Sequence, residues 1–207
     1  AENQDRYREY ADKIIHIVID DMPEACNGDR WGPENYQRRQ IARGLEDCQS
    51  SDIVMISDID EIPDRQTLRD VIRRLQRNSV VQDIKELAHY PLLKMETYLS
   101  NRGFPRQMLA VCRKLRYVFF PTKRICLFRQ RHHEYFLNGY VNDNWLGTVV
   151  IRFSALVSVF GMDCNQPREM RTKGKYEIAC GGWHFSYLGG VDRVIDKIRA
   201  FAHSEFD

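Results

Sequence analysis

The sequence has no long apolar run, and this absence excludes a helical membrane span. Its uninterrupted apolar segments, such as Val149-Val150-Ile151, are only a few residues long, whereas a spanning helix needs about 20 residues. An excess of one charge is also missing, because 31 Lys and Arg stand against 29 Asp and Glu and the net charge is +2. Overall charge therefore predicts neither nucleic-acid binding nor adhesion to anionic membranes, and any basic effect must be local.

Cysteine pairs are the second informative absence. Six cysteines are present and none forms a C-x-x-C pair, which argues against the zinc-ribbon and thioredoxin classes. A hydrophobic fraction of 43% at this length gives a substantial core without disulfides, so buried thiols in a reducing compartment are expected. The predicted location is the cytoplasm, or the Golgi lumen if the source is eukaryotic.

Length and patterning favour a single α/β domain over residues 1–207, because strand-like and helix-like segments alternate along the chain. A strand is predicted over residues 13–19 from its four isoleucines. One helix is predicted to begin near Pro33, and another follows Asp64, which is suited to cap it.

The centre of the sequence lacks clean periodicity. Residues 89–98 and 107–120 mix apolar, aromatic and basic side chains, and we expect strands and loops there. Two further strands are predicted over residues 135–141 and 147–153, separated by a turn at Asn142-Asp143-Asn144. The polar stretch 162–175 is predicted to be a mobile loop.

One segment carries most of the chemistry. A short apolar strand, residues 53–56, runs directly into Asp58, Asp60 and Glu61. A continuous apolar run is typical of a buried parallel strand, and ligands bind at the carboxyl ends of such strands. Two carboxylates one residue apart can hold a hard divalent cation and leave positions for phosphate oxygens. The D-x-D segment therefore predicts a metal site, and a solvated acidic turn is the alternative.

A second block, residues 181–190, places aromatic residues between two glycine pairs. Paired glycines permit close approach of the backbone to a ligand. His184 is suited either to a core position or to a metal. Trp183 is suited either to packing or to stacking on a sugar or uracil ring.

Together these blocks resemble the family 17 glycosyltransferases. The matching stretches are Asn35-Tyr36-Gln37-Arg38-Arg39, Ile56-Ser57-Asp58-Ile59-Asp60-Glu61-Ile62-Pro63, Trp145-Leu146-Gly147-Thr148 and Gly182-Trp183-His184-Phe185-Ser186, then Lys197, Ala202 and Glu205-Phe206. The resemblance implies a GT-A type, Rossmann-like domain with a mixed sheet flanked by helices. It also implies inverting transfer of a sugar, expected to be N-acetylglucosamine, from a UDP-sugar donor to a glycan or glycoprotein acceptor.

The resemblance also implies roles for individual residues. Asp58 and Asp60 are expected to hold Mn²⁺ or Mg²⁺, with His184 as a further contact to the metal or the diphosphate. The metal would neutralise charge on the leaving UDP. An inverting displacement needs a general base as well, for which Glu61 and Asp143 are the candidates. The candidate donor- or acceptor-binding residues are Trp145, Trp183 and Ser186.

Family members carry an additional upstream segment with the first strand and helices of the sheet, and we expect this chain to begin after it. Loss of an edge strand favours association, so a homodimer is predicted. Two other classes stay open. One is a catalytically inactive fragment or carbohydrate-binding module, which binds without metal; the other is a metal-dependent phosphoesterase, which the acidic triplet also suits.

Overall fold

The structure is a computed structural model that describes residues 5–23, 31–77, 80–120, 122–170 and 177–200. The described chain is α/β, with a mixed, curled sheet flanked by helices. This architecture is consistent with a Rossmann-like glycosyltransferase fold and confirms the predicted fold class. None of the described helices is long and apolar enough to cross a bilayer. That residues 1–207 form one domain stays a prediction.

The α-helices of the described part are α1 (Gly32–Gln40), α2 (Arg65–Gln76), α3 (Val80–Asn101), α4 (Arg106–Val118), α5 (Phe153–Phe160), α6 (Gln166–Glu169) and α7 (Val191–Ala200). Short 3-10 helices lie at Asp5–Lys13, Ile41–Gly44 and Thr122–Arg124. The predicted start of α2 is confirmed, because Asp64 Oδ1 accepts the backbone N–H of Thr67 at 2.7 Å. This hydrogen bond lowers the pKa of Asp64.

The strands are β1 (Ile53–Ile56), β2 (Glu61–Pro63), β3 (Ile125–Glu134), β4 (Tyr140–Arg152), β5 (Glu177–Ile178) and β6 (Gly182–Ser186). Their order is β1-β4-β3-β6-β2, with β5 beside β3. β1 is therefore a terminal strand, and it pairs antiparallel with β4. The expectation that the strand before the D-x-D segment is a buried parallel strand is wrong, since Met55 in its middle is 46% exposed.

The sheet curls, and the curl brings its two ends together. Only residues 57–60 join β1 at one end of the order to β2 at the other. Glu61 of β2 accepts hydrogen bonds from Trp145 and Thr148 of β4, although β3 and β6 separate these strands in the order. Residues 57–60 therefore lie where both ends of the sheet meet.

Apolar clusters cover both faces of the sheet. One cluster joins β1, β3 and β4 to α5, where Leu156 and Val159 are buried. The other joins β3 and β4 to α2 through Val71 and Leu75. The predicted burial of cysteines holds for Cys112, Cys126 and Cys164, whereas Cys48 is half-buried and Cys180 is exposed; these five thiols are free. Cys26 lies outside the described residues.

The predicted first strand does not form. Residues 14–20 have no regular secondary structure, and Ile15 is 70% exposed. No strand of the described sheet pairs with this segment, so its isoleucines supply β propensity without a ladder to join.

The strands and loops predicted for the centre are also wrong, because residues 89–98 belong to α3 and most of 107–120 to α4. α3 buries polar residues and exposes apolar ones: Leu87 is 77% exposed while His89 is 1% exposed. The buried polar atoms are paired, for example Glu86 with Arg124 at 2.9 Å and His89 Nδ1 with the Ser158 carbonyl at 3.3 Å. This inverted arrangement hides the ordinary helical signal.

Three smaller expectations change as well. The predicted turn at Asn142-Asp143-Asn144 lies inside β4, which runs unbroken from Tyr140 to Arg152. Most of the strand predicted over residues 135–141 is turn. The loop predicted over 162–175 contains α6 and buries Cys164 and Met170, and its residues 171–175 lie outside the described ones.

Candidate functional site

Glu61 is the most deeply placed carboxylate of the acidic segment. Its side chain has no exposed surface, and its oxygens accept hydrogen bonds from Arg168 Nη1 at 2.6 Å and Trp145 Nε1 at 3.1 Å. The backbone N–H of Asp58 also donates to it at 3.2 Å. These contacts hold Glu61 as a buried anion that fixes the neighbouring loop.

Close approach to Glu61 depends on Gly147 of β4. A Cβ at Gly147 would lie 2.7 Å from Glu61 Oε1 and 2.0 Å from Gln130 Oε1. Real side-chain contacts do not reach such distances. The absence of a side chain at this position therefore makes room for the buried carboxylate.

Asp58 lies between two arginines that come from distant segments. Arg38 Nη2 of α1 donates to Asp58 Oδ1 at 3.3 Å, and Arg168 Nη2 of α6 donates to the other carboxylate oxygen. Arg168 is 1% exposed and joins Asp58 to Glu61. Burial acts to lower the pKa of Arg168, but Glu61 and Asp58 outweigh it and the pKa is raised. The guanidinium is thus held in its charged form.

Asp60 faces a lysine and a histidine. Lys197 Nζ of α7 donates to Asp60 Oδ2 at 2.9 Å and to Ser186 Oγ at 3.4 Å. His184 Nδ1 of β6 lies 3.5 Å from Asp60 Oδ1. The imidazole of His184 stacks on Trp145, with ring centroids 3.9 Å apart. Burial lowers the pKa of His184, although Asp60 and Glu61 act to raise it.

The three carboxylates and the three cations paired with them are here called the carboxylate cluster: Asp58, Asp60, Glu61, Arg38, Arg168 and Lys197. Arg38 also pairs with Glu34 of α1 at 2.6 Å. The sequence alone assigns no role to the three cations of this cluster. Arg38 and Lys197 fall in stretches that carry the family resemblance, which was an available signal. Arg168 lies in a segment predicted to be a mobile loop, and no sequence pattern links it to residues more than 100 positions earlier.

Two predicted site residues do not join this cluster. Asp143 of β4 is exposed and lies 3.6 Å from Arg131; in the described part of the chain no hydrogen bond or ion pair links it to Asp58, Asp60 or Glu61. Burial alternates along β6, so that His184 and Ser186 are buried on one face while Trp183 lies on the other. Trp183 therefore faces away from the stacked pair of His184 and Trp145.

Some of the possible metal-ligand atoms at the cluster suit a hard divalent cation. Asp60 Oδ1 and His184 Nδ1 lie within 3.5 Å of each other, and His184 Nδ1 is buried without a hydrogen-bond partner in the described structure. Asp58 would bring further oxygen ligands but is engaged by two arginines. No group of three or more His, Cys, Asp or Glu side chains within the described ranges is arranged to hold a metal.

The mixed α/β sheet flanked by helices is consistent with a Rossmann-like glycosyltransferase fold. The profile of glycosyltransferase family 17 matches residues 1–119, more than half of the chain. The chain belongs to glycosyltransferase family 17, and it is a glycosyltransferase. The matched range includes Asp58, Asp60 and Glu61, whereas Arg168, His184 and Lys197 lie beyond it. No curated protein and no solved structure matches the chain.

Proposed function

We propose that the chain is a metal-dependent, inverting glycosyltransferase of GT-A type that transfers N-acetylglucosamine from UDP-N-acetylglucosamine to a glycan or glycoprotein acceptor. The observation that carries this proposal is that His184 Nδ1 is buried, lies 3.5 Å from Asp60 Oδ1 and has no hydrogen-bond partner among the described residues. Family membership supports the transferase class.

The residues at this site are assigned different roles. Asp58, Asp60 and His184 would hold Mn²⁺ or Mg²⁺, which supplies Lewis-acid stabilisation of charge on the leaving diphosphate. Lys197 is one-third exposed, so its ammonium group is available to the same phosphates. Arg168 and Glu61 keep the loop in position, because both are buried and paired to each other.

The two candidates for the general base, Glu61 and Asp143, differ in exposure. Glu61 is fully buried and paired with Arg168, so it is not accessible to an acceptor hydroxyl. Asp143 is the exposed one of the two candidates, and we assign it the role of the base. Trp145 stacks on His184, and with Ser186 it is assigned to donor binding. Trp183, on the opposite face, is assigned to the acceptor.

We also propose a cellular location and an oligomeric state. We assign the chain to the cytoplasm. β1 pairs with β4 on one side and with no other strand of the described sheet, and an open strand edge supports self-association into a homodimer.

Calorimetric titration of UDP and UDP-N-acetylglucosamine tests the donor site, with Mn²⁺ and with a chelator. Asp60→Asn is compared with Asp70→Asn, which changes an exposed carboxylate of α2. We expect binding to require Mn²⁺ and to weaken by about 10- to 100-fold or more in Asp60→Asn, since it loses a ligand group. Equal binding in chelator, or equal binding by both variants, would contradict the metal site.

A metal-independent carbohydrate-binding module is the second candidate. It is favoured by one observation, that each of the three carboxylates is already paired with Arg38, Arg168 or Lys197. Glycan binding that persists in chelator, without transfer of sugar from the donor, would support this candidate. Release of inorganic phosphate from nucleotides in the presence of Mg²⁺ would instead support a phosphoesterase.

A further inference from the structure

Positive charge is concentrated in one part of a chain that is nearly neutral as a whole. Residues 97–133 contain nine Lys and Arg and no Asp or Glu. Because the whole chain carries +2, the remaining residues sum to −7. The segment begins in the last turns of α3 and includes all of α4. Arg124 of this segment is buried, and the exposed cations predict a surface that attracts an anionic partner.

Part of this charge has no internal partner. Arg113 and Arg116 share the single carboxylate of Glu96. Arg106 and Lys114 form no ion pair with a carboxylate anywhere in the described structure, and neither does Arg102, which lies over the Tyr98 ring. The positive charges of Arg102, Arg106 and Lys114 are therefore available to an external anion.

α4 also exposes an apolar stripe. Met108, Val111, Leu115 and Val118 recur at spacings of three and four residues, which places them on one face of the helix. Each of them is at least 41% exposed, and Val111 is 57% exposed. Cys112 on the adjacent face is buried against the rest of the chain. α4 thus turns one apolar face inward and leaves a second one uncovered.

We propose that α4 docks the protein on an anionic lipid surface. A helix with an apolar face and a polar face rich in Lys and Arg lies in the plane of a membrane interface, where acyl chains cover the apolar side chains and lipid phosphates attract the cations. A nucleic acid would satisfy the charges but would leave the stripe exposed to water. The lipid surface satisfies both features.

Flotation with lipid vesicles tests the docking surface without any sugar donor, so its result is independent of the transferase proposal. Vesicles of phosphatidylcholine are compared with vesicles that also contain phosphatidylglycerol. We expect binding to the anionic vesicles only, and we expect it to weaken at high ionic strength, because salt screens the attraction.

Two double variants separate charge from apolar contact. Arg106→Gln with Lys114→Gln should weaken partitioning roughly 25-fold, at about fivefold for each cation. Val111→Gln with Leu115→Gln keeps the charge and should weaken it by about tenfold or more. The matched controls are Arg65→Gln with Arg69→Gln on α2, and Val191→Gln with Ile195→Gln on α7, which change exposed residues elsewhere. Both controls should bind as the wild type does.

Three outcomes would overturn the proposal. One is failure to bind either kind of vesicle. Another is binding that Val111→Gln with Leu115→Gln leaves unchanged, which would reduce the effect to general electrostatics. The third is an oligomer in sedimentation equilibrium that this variant dissociates, with no vesicle binding, which would assign the stripe to a second copy of the chain. All four α4 positions changed are exposed, and circular dichroism checks that the variants fold.

Discussion

The carboxylate cluster and the pair of helices α3 and α4 distribute charge and apolar surface in opposite ways. In the cluster, Glu61 and Arg168 are buried, and each of the six charged side chains has an opposite charge beside it. In α3 and α4, apolar side chains such as Leu87 and Val111 face outward. A buried charge depends on its partners, because an unpaired one costs several kcal/mol. The carboxylate cluster is therefore stabilised by ion pairs within the chain. The exposed apolar side chains of α3 and α4 are instead accessible to a partner outside it.

Breaking the central pair of the cluster should have the largest effect on stability. Arg168→Met leaves Glu61 as an unpaired buried anion, and we expect the free energy of unfolding to fall by about 3–5 kcal/mol. Chemical denaturation measures the change. Arg39→Met is the matched control, since it removes the more exposed ion pair with Asp163, and should cost no more than about 1 kcal/mol.

A second variant tests the cause of that loss. Adding Glu61→Gln to Arg168→Met removes the buried charge, and about 1–3 kcal/mol of stability should return relative to Arg168→Met alone. A double variant as unstable as the sum of the two single ones would show that the pair is not coupled.

Alanine substitutions at two leucines compare the buried core with the exposed face of α3. Leu75 of α2 has no exposed surface, whereas Leu87 of α3 is 77% exposed. Leu75→Ala should lower the free energy of unfolding by about 2–5 kcal/mol through the cavity it leaves. Leu87→Ala should change it by no more than about 0.5 kcal/mol. Similar losses in both would mean that α3 is covered in solution.

Gly147 tests how closely β4 approaches Glu61. Gly147→Ala places a methyl group against Gln130 and Glu61, and we expect a loss of about 1–3 kcal/mol in the free energy of unfolding. Gly44→Ala is the control, because its Cβ would meet only the flexible ends of two isoleucine side chains, the nearer at 3.2 Å. A neutral Gly147→Ala would show that the buried carboxylate has room to move.

The smallest expected effect is a pH dependence due to His89. Burial lowers the pKa of His89 below its ordinary value of 6.5. The unfolded chain therefore takes up a proton first as the pH falls below about 6.5, and stability decreases in that direction. His89→Gln should lose less stability between pH 7.5 and 5.5, with a difference in the change of Tm below about 4 °C. Parallel curves for wild type and variant would exclude this contribution.

The sequence predicted elements whose signals are local. Asp64 caps α2 and Pro33 lies in the first turn of α1, since capping and proline preferences act within one turn. The sequence also indicates the strand before Asp58. It does not indicate the place of this strand in the sheet, because four apolar residues do not reveal whether the neighbouring strand is parallel or antiparallel.

The rest depends on contacts between distant segments. The sequence does not indicate α3, because its buried face carries Glu86 and His89. Their partners are Arg124 of the 3-10 helix Thr122–Arg124 and Ser158 of α5, both far along the chain. The acidic half of the site was predicted from its D-x-D spacing, but the cations were not assigned. Arg168 has no local signal at all, since its burial follows from the packing of α6 against β4 and α5.

The spread of the cluster along the chain has a consequence for the order of folding. Glu61 and Arg168 are 107 positions apart and Asp60 and Lys197 are 137 apart. Closing loops of this length costs entropy before the contacts repay it, so such pairs form late. The charged centre is therefore completed only when α6 and α7 have docked. A partly folded chain would keep these six charges hydrated and apart, which makes assembly of the cluster a marker of the finished fold.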